Sequence, residues 1–317
     1  MKKIFTLLVL TISFSMNAQV STNGTNPSGS DASAIGLSTT ASGVRSTAMG
    51  VGTTASGAAS TAMGQGTTAI GNYSTAMTYE TIASGNYSTA MGNRTTASGL
   101  GSTAMGYRTT ASEDYSTAMG HRTTASGVRS TAMGNYTIAS DFGSLVIGQY
   151  NSSGSSVTNN ATSFNTANTA FVIGNGTDSS NKSDAFKVMF NGDATIGNDL
   201  TVSGDVVVSS DARLKSNIIS LGSTLSRLLL IDGKSYEMKG KQKIGVLAQD
   251  IKEVFPELVS EDDNEMLAVN YQGLVPVLIN ALKEQDAKMK DQETKFEKQQ
   301  AEIDELKEIV NQLTADK

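Results

Sequence analysis

Between Ala32 and Gly148 the small apolar and polar positions follow a strict period. The phrase STAMG begins at Ser46, Ser60, Ser88, Ser102, Ser116 and Ser130, with STAMT at Ser74, ASAIG at Ala32 and SLVIG at Ser144; all fall on one 14-residue period. A second phrase, TTASG or a variant of it, starts at Thr39, Thr53, Thr67, Thr81, Thr95, Thr109, Thr123 and Thr137. Alanine therefore recurs every seven residues, as at Ala41, Ala48, Ala55 and Ala62. Seven-residue spacing invites a coiled-coil reading, but Gly, Ser and Thr stand where helix formers are needed. Two short strands per repeat, turned at glycine, predict a β-solenoid with one repeat per coil. Nine coils at the inter-strand spacing of ~4.8 Å make a rod of roughly 40 Å.

The apolar supply of this rod is small. Each coil offers alanine, threonine and one larger side chain: Ile35, Met49, Met63, Met77, Met91, Met105, Met119, Met133 or Ile147. At ~25 cal/mol per Å2 such burial is thin against ~1–2 kcal/mol of backbone entropy per residue. Several chains are therefore expected to share the methionine row, with either face of the roll left open as the inner one. The period, with its S-x-A-[MI]-G phrase, resembles the head repeats of YadA-type trimeric autotransporter adhesins over about residues 30 to 150. That resemblance implies a left-handed parallel β-roll assembled in threes. Thr-Ala-Met stands where that family more often has Val-Ala-Ile. No C-terminal membrane barrel of that family is recognisable, so self-transport and anchoring are not implied.

Beyond the repeats, residues 150–169 are polar and read as a linker, and short apolar runs broken by Gly and Asn predict strands in AFVIGNG, AFKVMFNGDATIG and DLTVSGDVVV. The Gly-rich strings at Gly99 and Gly174 lack the strand, helix and acid of a phosphate-binding unit. At the start, Lys2, Lys3 and an apolar run from Ile4 to Phe14 precede Ala18, which predicts an export leader over residues 1–19 and a mature chain without a transmembrane segment. There is no cysteine and one histidine, His121, so no cofactor or metal centre is expected. A net charge of −6 argues against nucleic acid as a partner.

After residue 208 the material changes to a charged α/β sequence headed by SSDARLKSNI, residues 209–218. LGSTLSRLLLID has helical spacing, KSYEMK and IGVLAQ are strand-like, QDIKEVFPELV is helical up to Pro256, MLAVNY is strand-like, and a helix follows from about Gln272. Read by spacing alone, a serine, an arginine and a lysine after a strand make a turn with solvated charges. Three blocks in register point further: Ser210-Asp211-x-Arg213-Leu214-Lys215-x-Asn217-Ile218, GVLAQDIKEVFPELV from Gly245, and LAVNYQGLVPVLINALKE from Leu267. Together they closely resemble, over residues 209–285, the intramolecular chaperone domain of endosialidases and phage tail spikes, found also in myelin regulatory factor. The resemblance implies a single-turnover serine peptidase that cuts its own chain at Ser209–Ser210, with Ser210 as nucleophile and Lys215 as general base. A lysine acts as a base only as the neutral amine, which desolvation or a nearby cation favours; Arg213 is a candidate for that cation. Asp211 and Asn217 fit either catalytic support or turn capping.

The tail, residues 286–317, continues a heptad seam. Leu282, Met289, Phe296, Ile303 and Val310 lie seven apart, with Gln285, Gln292, Gln299, Leu306 and Leu313 three residues on, which predicts a self-associating coiled coil. The expected protein is mainly β: a leader (1–19), a β-roll head (20–149), a linker and strand connector (150–208), the chaperone domain (209–285) and the coiled coil. It reads as an exported, adhesin-like homotrimer with an unassigned surface ligand, a glycan or a matrix protein. A non-cleaving trimer, a phage tail fibre and an ice-binding solenoid carrying rows of threonine are the competing readings.

Overall fold

The computed structural model describes residues 22–262 and 265–315; the leader expected at 1–19 lies outside the described residues. The chain divides into two compact units between Asp205 and Val206.

In the first unit each repeat forms one coil of a parallel β-solenoid. A five-residue strand such as Thr89–Asn93 and a two-residue strand such as Thr96–Ala97 are joined by tight corners. Each strand pairs with its equivalent in the next coil: Thr89, Ala90 and Met91 face Thr103, Ala104 and Met105. Among the described residues the long strands build a 13-stranded sheet and the short ones a 9-stranded sheet. The long-strand sheet stays parallel as far as Thr169–Asn175, then adds Asp184–Met189 and Ala194–Ile196 antiparallel.

Strand alternation decides what lies inside. In Thr103–Tyr107, Ala104 is fully buried while Thr103 and Met105 on either side are partly exposed. Both alanine rows, from long and short strands, thus point inward and form one continuous core, closed at its far end by Val146 and Val172. Serine and threonine fill the rest of the interior. Ser88, Ser116 and Ser144 donate to the carbonyl three residues earlier, at 2.6, 2.6 and 2.9 Å, whereas the equivalent hydroxyls of Ser46, Ser60, Ser74 and Ser102 are buried without a partner. An interior of methyls and hydroxyls supplies little apolar area per coil, and the largest side chains, the methionines, lie outside it.

The coils stack too closely for a side chain at the fourth position of the long strand. Gly50, Gly92 and Gly106 have φ of 125°, 125° and 121°, and a Cβ on Gly92 would lie 2.0 Å from the carbonyl oxygen of Gly106. The coil reading STAMT puts Thr78 in this place with φ of 98°, where a β-branched residue is strained by about 1–3 kcal/mol. Thr78→Gly is therefore expected to raise the denaturant midpoint of the roll. An equal or lower midpoint would show that this φ costs nothing here.

Residues 150–168 contain no strand, and side chains finish the short-strand sheet in their place. The Asn151 amide accepts from the Ile138 backbone N–H and donates to the Ile138 carbonyl, both at 2.9 Å, as the next strand would. Buried Asp141 accepts from the Thr158 and Thr169 backbone N–H groups at 2.6 and 2.8 Å. DLTVSGDVVV, expected as a strand, forms none: among the described residues nothing pairs with Val206, Val207 and Val208, which stay exposed.

The second unit is a small α/β assembly. Helix α1 (Leu225–Leu228) precedes a hairpin of Lys234–Met238 and Lys241–Gly245. Helix α2 (Ala248–Val254) ends before Pro256, and Val259–Glu261 pairs with Leu267–Val269 before the 42-residue α3 (Leu274–Ala315). The strand expected through IGVLAQ ends at Gly245, because the chain enters α2 three residues later. Ile251, Phe255 and Val277 are the core, with Leu228, Val246, Leu258 and Val269 packed on them. The Arg227 guanidinium sits 4.0 Å from the Phe255 ring centroid. Glu284 of α3 ties down the start of α1, accepting from the Thr224 backbone N–H and, at 2.7 Å, the Ser223 hydroxyl. Those two donors hold its carboxyl below the usual carboxylate range. Along α3, about 63 Å long at 1.5 Å per residue, Leu282, Met289, Phe296 and Val310 are all more than half exposed. Among the described residues no helix is long and apolar enough to cross a membrane.

Candidate active site

The Ser-Lys string is a local turn that needs no distant element to bring its two ends together. Ala212–Leu214 forms one turn of 3-10 helix, started by Asp211, whose carboxylate accepts from the Arg213 backbone N–H at 2.9 Å. The turn carries Lys215 back toward its own start, and Lys215 Nζ donates to Ser210 Oγ at 2.7 Å. Asn217 then redirects the chain with φ of 53°, a conformation asparagine tolerates better than most residues. Its position fits the turn-forming alternative.

Arg213 is directed elsewhere than expected. Its guanidinium forms a two-pronged ion pair with Asp211, Nη2 to Oδ2 at 2.7 Å and Nε to Oδ1 at 3.0 Å. That pairing holds the Asp211 carboxyl below its ordinary range and pushes the Arg213 guanidinium up. Only Ala212 separates the partners, so they meet within the turn, and the cation expected to act on Lys215 is compensated by Asp211. The pair holds the turn in shape.

The surroundings are apolar and uncovered. Residues 191–223 are exposed throughout, including Val207 at 88%, Leu214 at 73%, Ile218 at 68% and Ile219 at 87%. Large apolar side chains thus flank the Ser210–Lys215 contact on both sides in sequence. Their types were visible in VVV and NII, but whether they were inside or outside was not.

This turn opens a segment with a known counterpart. Residues 210–260 match the family model described as chaperone of endosialidase. The match begins at Ser210 itself and runs through the hairpin and α2. The repeats match too: residues 28–53, 55–77, 83–109, 97–123 and 111–137 fit the YadA head domain repeat. The chain therefore joins YadA head repeats to an endosialidase-chaperone segment, as its sequence patterns indicated. No curated protein matches the chain.

Within the endosialidase-chaperone segment the chemistry open to the pair is acyl transfer. The hydrogen bond fixes Ser210 Oγ beside the amine, and the acyl carbon that Oγ can reach through an unstrained five-membered ring is the carbonyl of Ser209, on Ser210's own nitrogen. A hydroxyl so placed needs only a base to take its proton.

Proposed function

We propose that this protein is an exported, homotrimeric, adhesin-like surface fibre whose C-terminal segment guides assembly and then cuts the chain at Ser209–Ser210. The observation that carries the proposal is the 2.7 Å Lys215–Ser210 contact inside a segment that matches the endosialidase chaperone. The YadA head repeats support the trimer and the surface location, and the leader reading of residues 1–19 supports export.

Cleavage proceeds in balanced steps. Neutral Lys215 takes the Ser210 Oγ proton, Oγ attacks the Ser209 carbonyl carbon, and the Ser209–Ser210 C–N bond breaks as the leaving nitrogen regains a proton. Water then hydrolyses the resulting ester, leaving a carboxylate on Ser209 and a free amine on Ser210. Attack within one residue gains its rate from proximity, and one turnover per chain suffices.

Two exposed surfaces support assembly as the trigger. The methionines and threonines of the long-strand sheet cover the face that the roll leaves open, and the apolar seam of α3 is unpartnered in a single chain. An assembly that also covered the exposed Val206, Val207, Val208, Leu214, Ile218 and Ile219 would exclude water from the dyad. Desolvation favours the neutral lysine that the reaction requires. Non-local β-pairing is slow, so a segment that holds three chains in register while the rolls form has a clear use.

Light scattering combined with intact-mass measurement tests the proposal on the full chain. A threefold assembly of fragments ending at Ser209, with a separate piece beginning at Ser210, is expected. An uncut, folded monomer would overturn it.

A further inference from the structure

The repeat leaves free the last residue of each long strand and the corner residue that follows it. In the first coils these are Leu37-Ser38, Val51-Gly52 and Gln65-Gly66, which carry no charge and no ring. From the next coil onward they become Tyr79-Glu80, Asn93-Arg94, Tyr107-Arg108, His121-Arg122, Asn135-Tyr136 and Gln149-Tyr150. One coil geometry thus accepts both sets, and its folding does not require the second.

The second set is costly in charge. Its last residue sits in the left-handed region, with φ of 56°, 53° and 53° at Arg94, Arg108 and Arg122, as at Ser38, Gly52 and Gly66 before them. Successive coils place these three guanidinium-bearing residues one above another at ~4.8 Å per rung, so like charges are stacked. Glu80 neutralises Arg94 at 2.6 Å. Neither Arg108 nor Arg122 has an ion-pair partner among the described residues. Like charges stacked at one site call for a compensating role.

The rings hold the free cations in place. Tyr107 and His121 stack at 5.2 Å and Tyr136 and Tyr150 at 4.7 Å. Arg108 lies 5.4 Å from the Tyr107 ring centroid and Arg122 5.2 Å from that of Tyr136. Arg122 also donates to the Tyr136 hydroxyl, while its buried Nε has no hydrogen-bond partner. The His121 ring is bonded to Asn135 Oδ1 at 2.8 Å. The result is a rigid, donor-rich strip running along the roll axis, with Glu80 at one end and Asp178, beside Tyr150, at the other.

We propose that this strip binds a linear acidic polysaccharide, carboxylated or sulfated, laid along the roll with its anions on Arg108 and Arg122. Guanidinium groups suit carboxylate and sulfate because they give two parallel hydrogen bonds to a planar or trigonal oxyanion. Asn93 and the amide nitrogen of Asn135, with the Tyr136 hydroxyl, flank them to meet sugar hydroxyls. Duplex DNA is disfavoured, because it needs many neutralised phosphates, whereas this strip is short, bounded by carboxylates and part of a chain of net charge −6. The proposal deepens the adhesin reading of the roll and does not depend on self-cleavage.

The test is binding of the full-length protein to immobilised heparin and polygalacturonate, with dextran as the neutral polymer and duplex DNA as the other polyanion. Wild type is expected to bind at least one acidic polysaccharide and not dextran. Arg108→Gln combined with Arg122→Gln is expected to weaken that binding at least about tenfold, the scale of a lost charge-assisted contact. Arg45→Gln with Arg129→Gln removes the same charge from the opposite corner and is expected to leave binding unchanged; circular dichroism confirms that each variant keeps its roll. Equal losses in the two double variants, tighter binding to DNA, or no binding to either acidic polymer would overturn the site. Wild-type binding that persists in the Arg108/Arg122 variant would also overturn it, while leaving the adhesin reading intact.

Discussion

Ser210→Ala is expected to leave every chain in one piece where the wild type yields two. The hydroxyl is the only group on residue 210 that can attack the Ser209 carbonyl, and its loss removes the covalent step entirely. Loss of a nucleophile or of its base typically lowers the rate by about 10^4-fold or more, which for a single-turnover cut means no product over days. Lys215→Arg is the more discriminating variant. Arginine keeps the positive charge and a donor for Ser210 Oγ, so it can preserve the 2.7 Å contact, but it does not give up its proton at any pH a protein survives. If Lys215 serves as base, Lys215→Arg is as inert as Ser210→Ala in a time course of intact masses. If Lys215 only orients the turn, Lys215→Arg still cuts. Cutting by Ser210→Ala itself would remove the peptidase reading altogether.

Met91→Glu combined with Met105→Glu is expected to abolish the trimer while sparing the roll. The two side chains are neighbours on adjacent strands and project from the outer face, away from the alanine core. Carboxylates there remain solvated in a monomer, so the coil hydrogen bonds and the strand signal in circular dichroism persist. Three chains brought together on that face would confront six carboxylates in a small volume, and like charges in an interface cost several kcal/mol. Light scattering is expected to report one chain instead of three. The cut fraction is expected to fall with it, because the apolar residues beside Ser210 and Lys215 then stay wet. A trimer of normal stability in this variant would place the interface on another face.

The roll was legible because its geometry repeats: a fixed step forces equivalent residues into register; the alternation of Ala with Thr and Met marked two faces, and the structure decides that the alanine face is the inner one. The contact between Ser210 and Lys215 was legible as a five-residue spacing within a family pattern. The partner of Arg213 was legible in principle, since the carboxylate of Asp211 two positions away attracts a guanidinium and the ammonium of Lys215 repels it; the expectation for Arg213 left that carboxylate out. The failed strand at Val206–Val208 was not legible. Valine-rich alternation reports a preference for pairing, but a strand exists only where a second strand is offered. The end of the roll was hidden for the opposite reason. Asn151 acts through its side chain in place of a backbone, and a polar run of Ser and Asn gives no periodic sign of that. The ring and guanidinium strip escaped notice because its members lie a whole coil apart, surrounded by the recurring phrases.

That asparagine terminus has a consequence for how such molecules vary. The last short strand is closed by the Asn151 amide and by contacts from residues 154–169 rather than by a further unit, and among the described residues these contacts reach back no further than Val128. Whole repeat units can be inserted or deleted upstream of the coil that carries Val128 without disturbing them, each changing the length of the roll by ~4.8 Å. Copy number, rather than point substitution, is then the variable that sets how long the roll is.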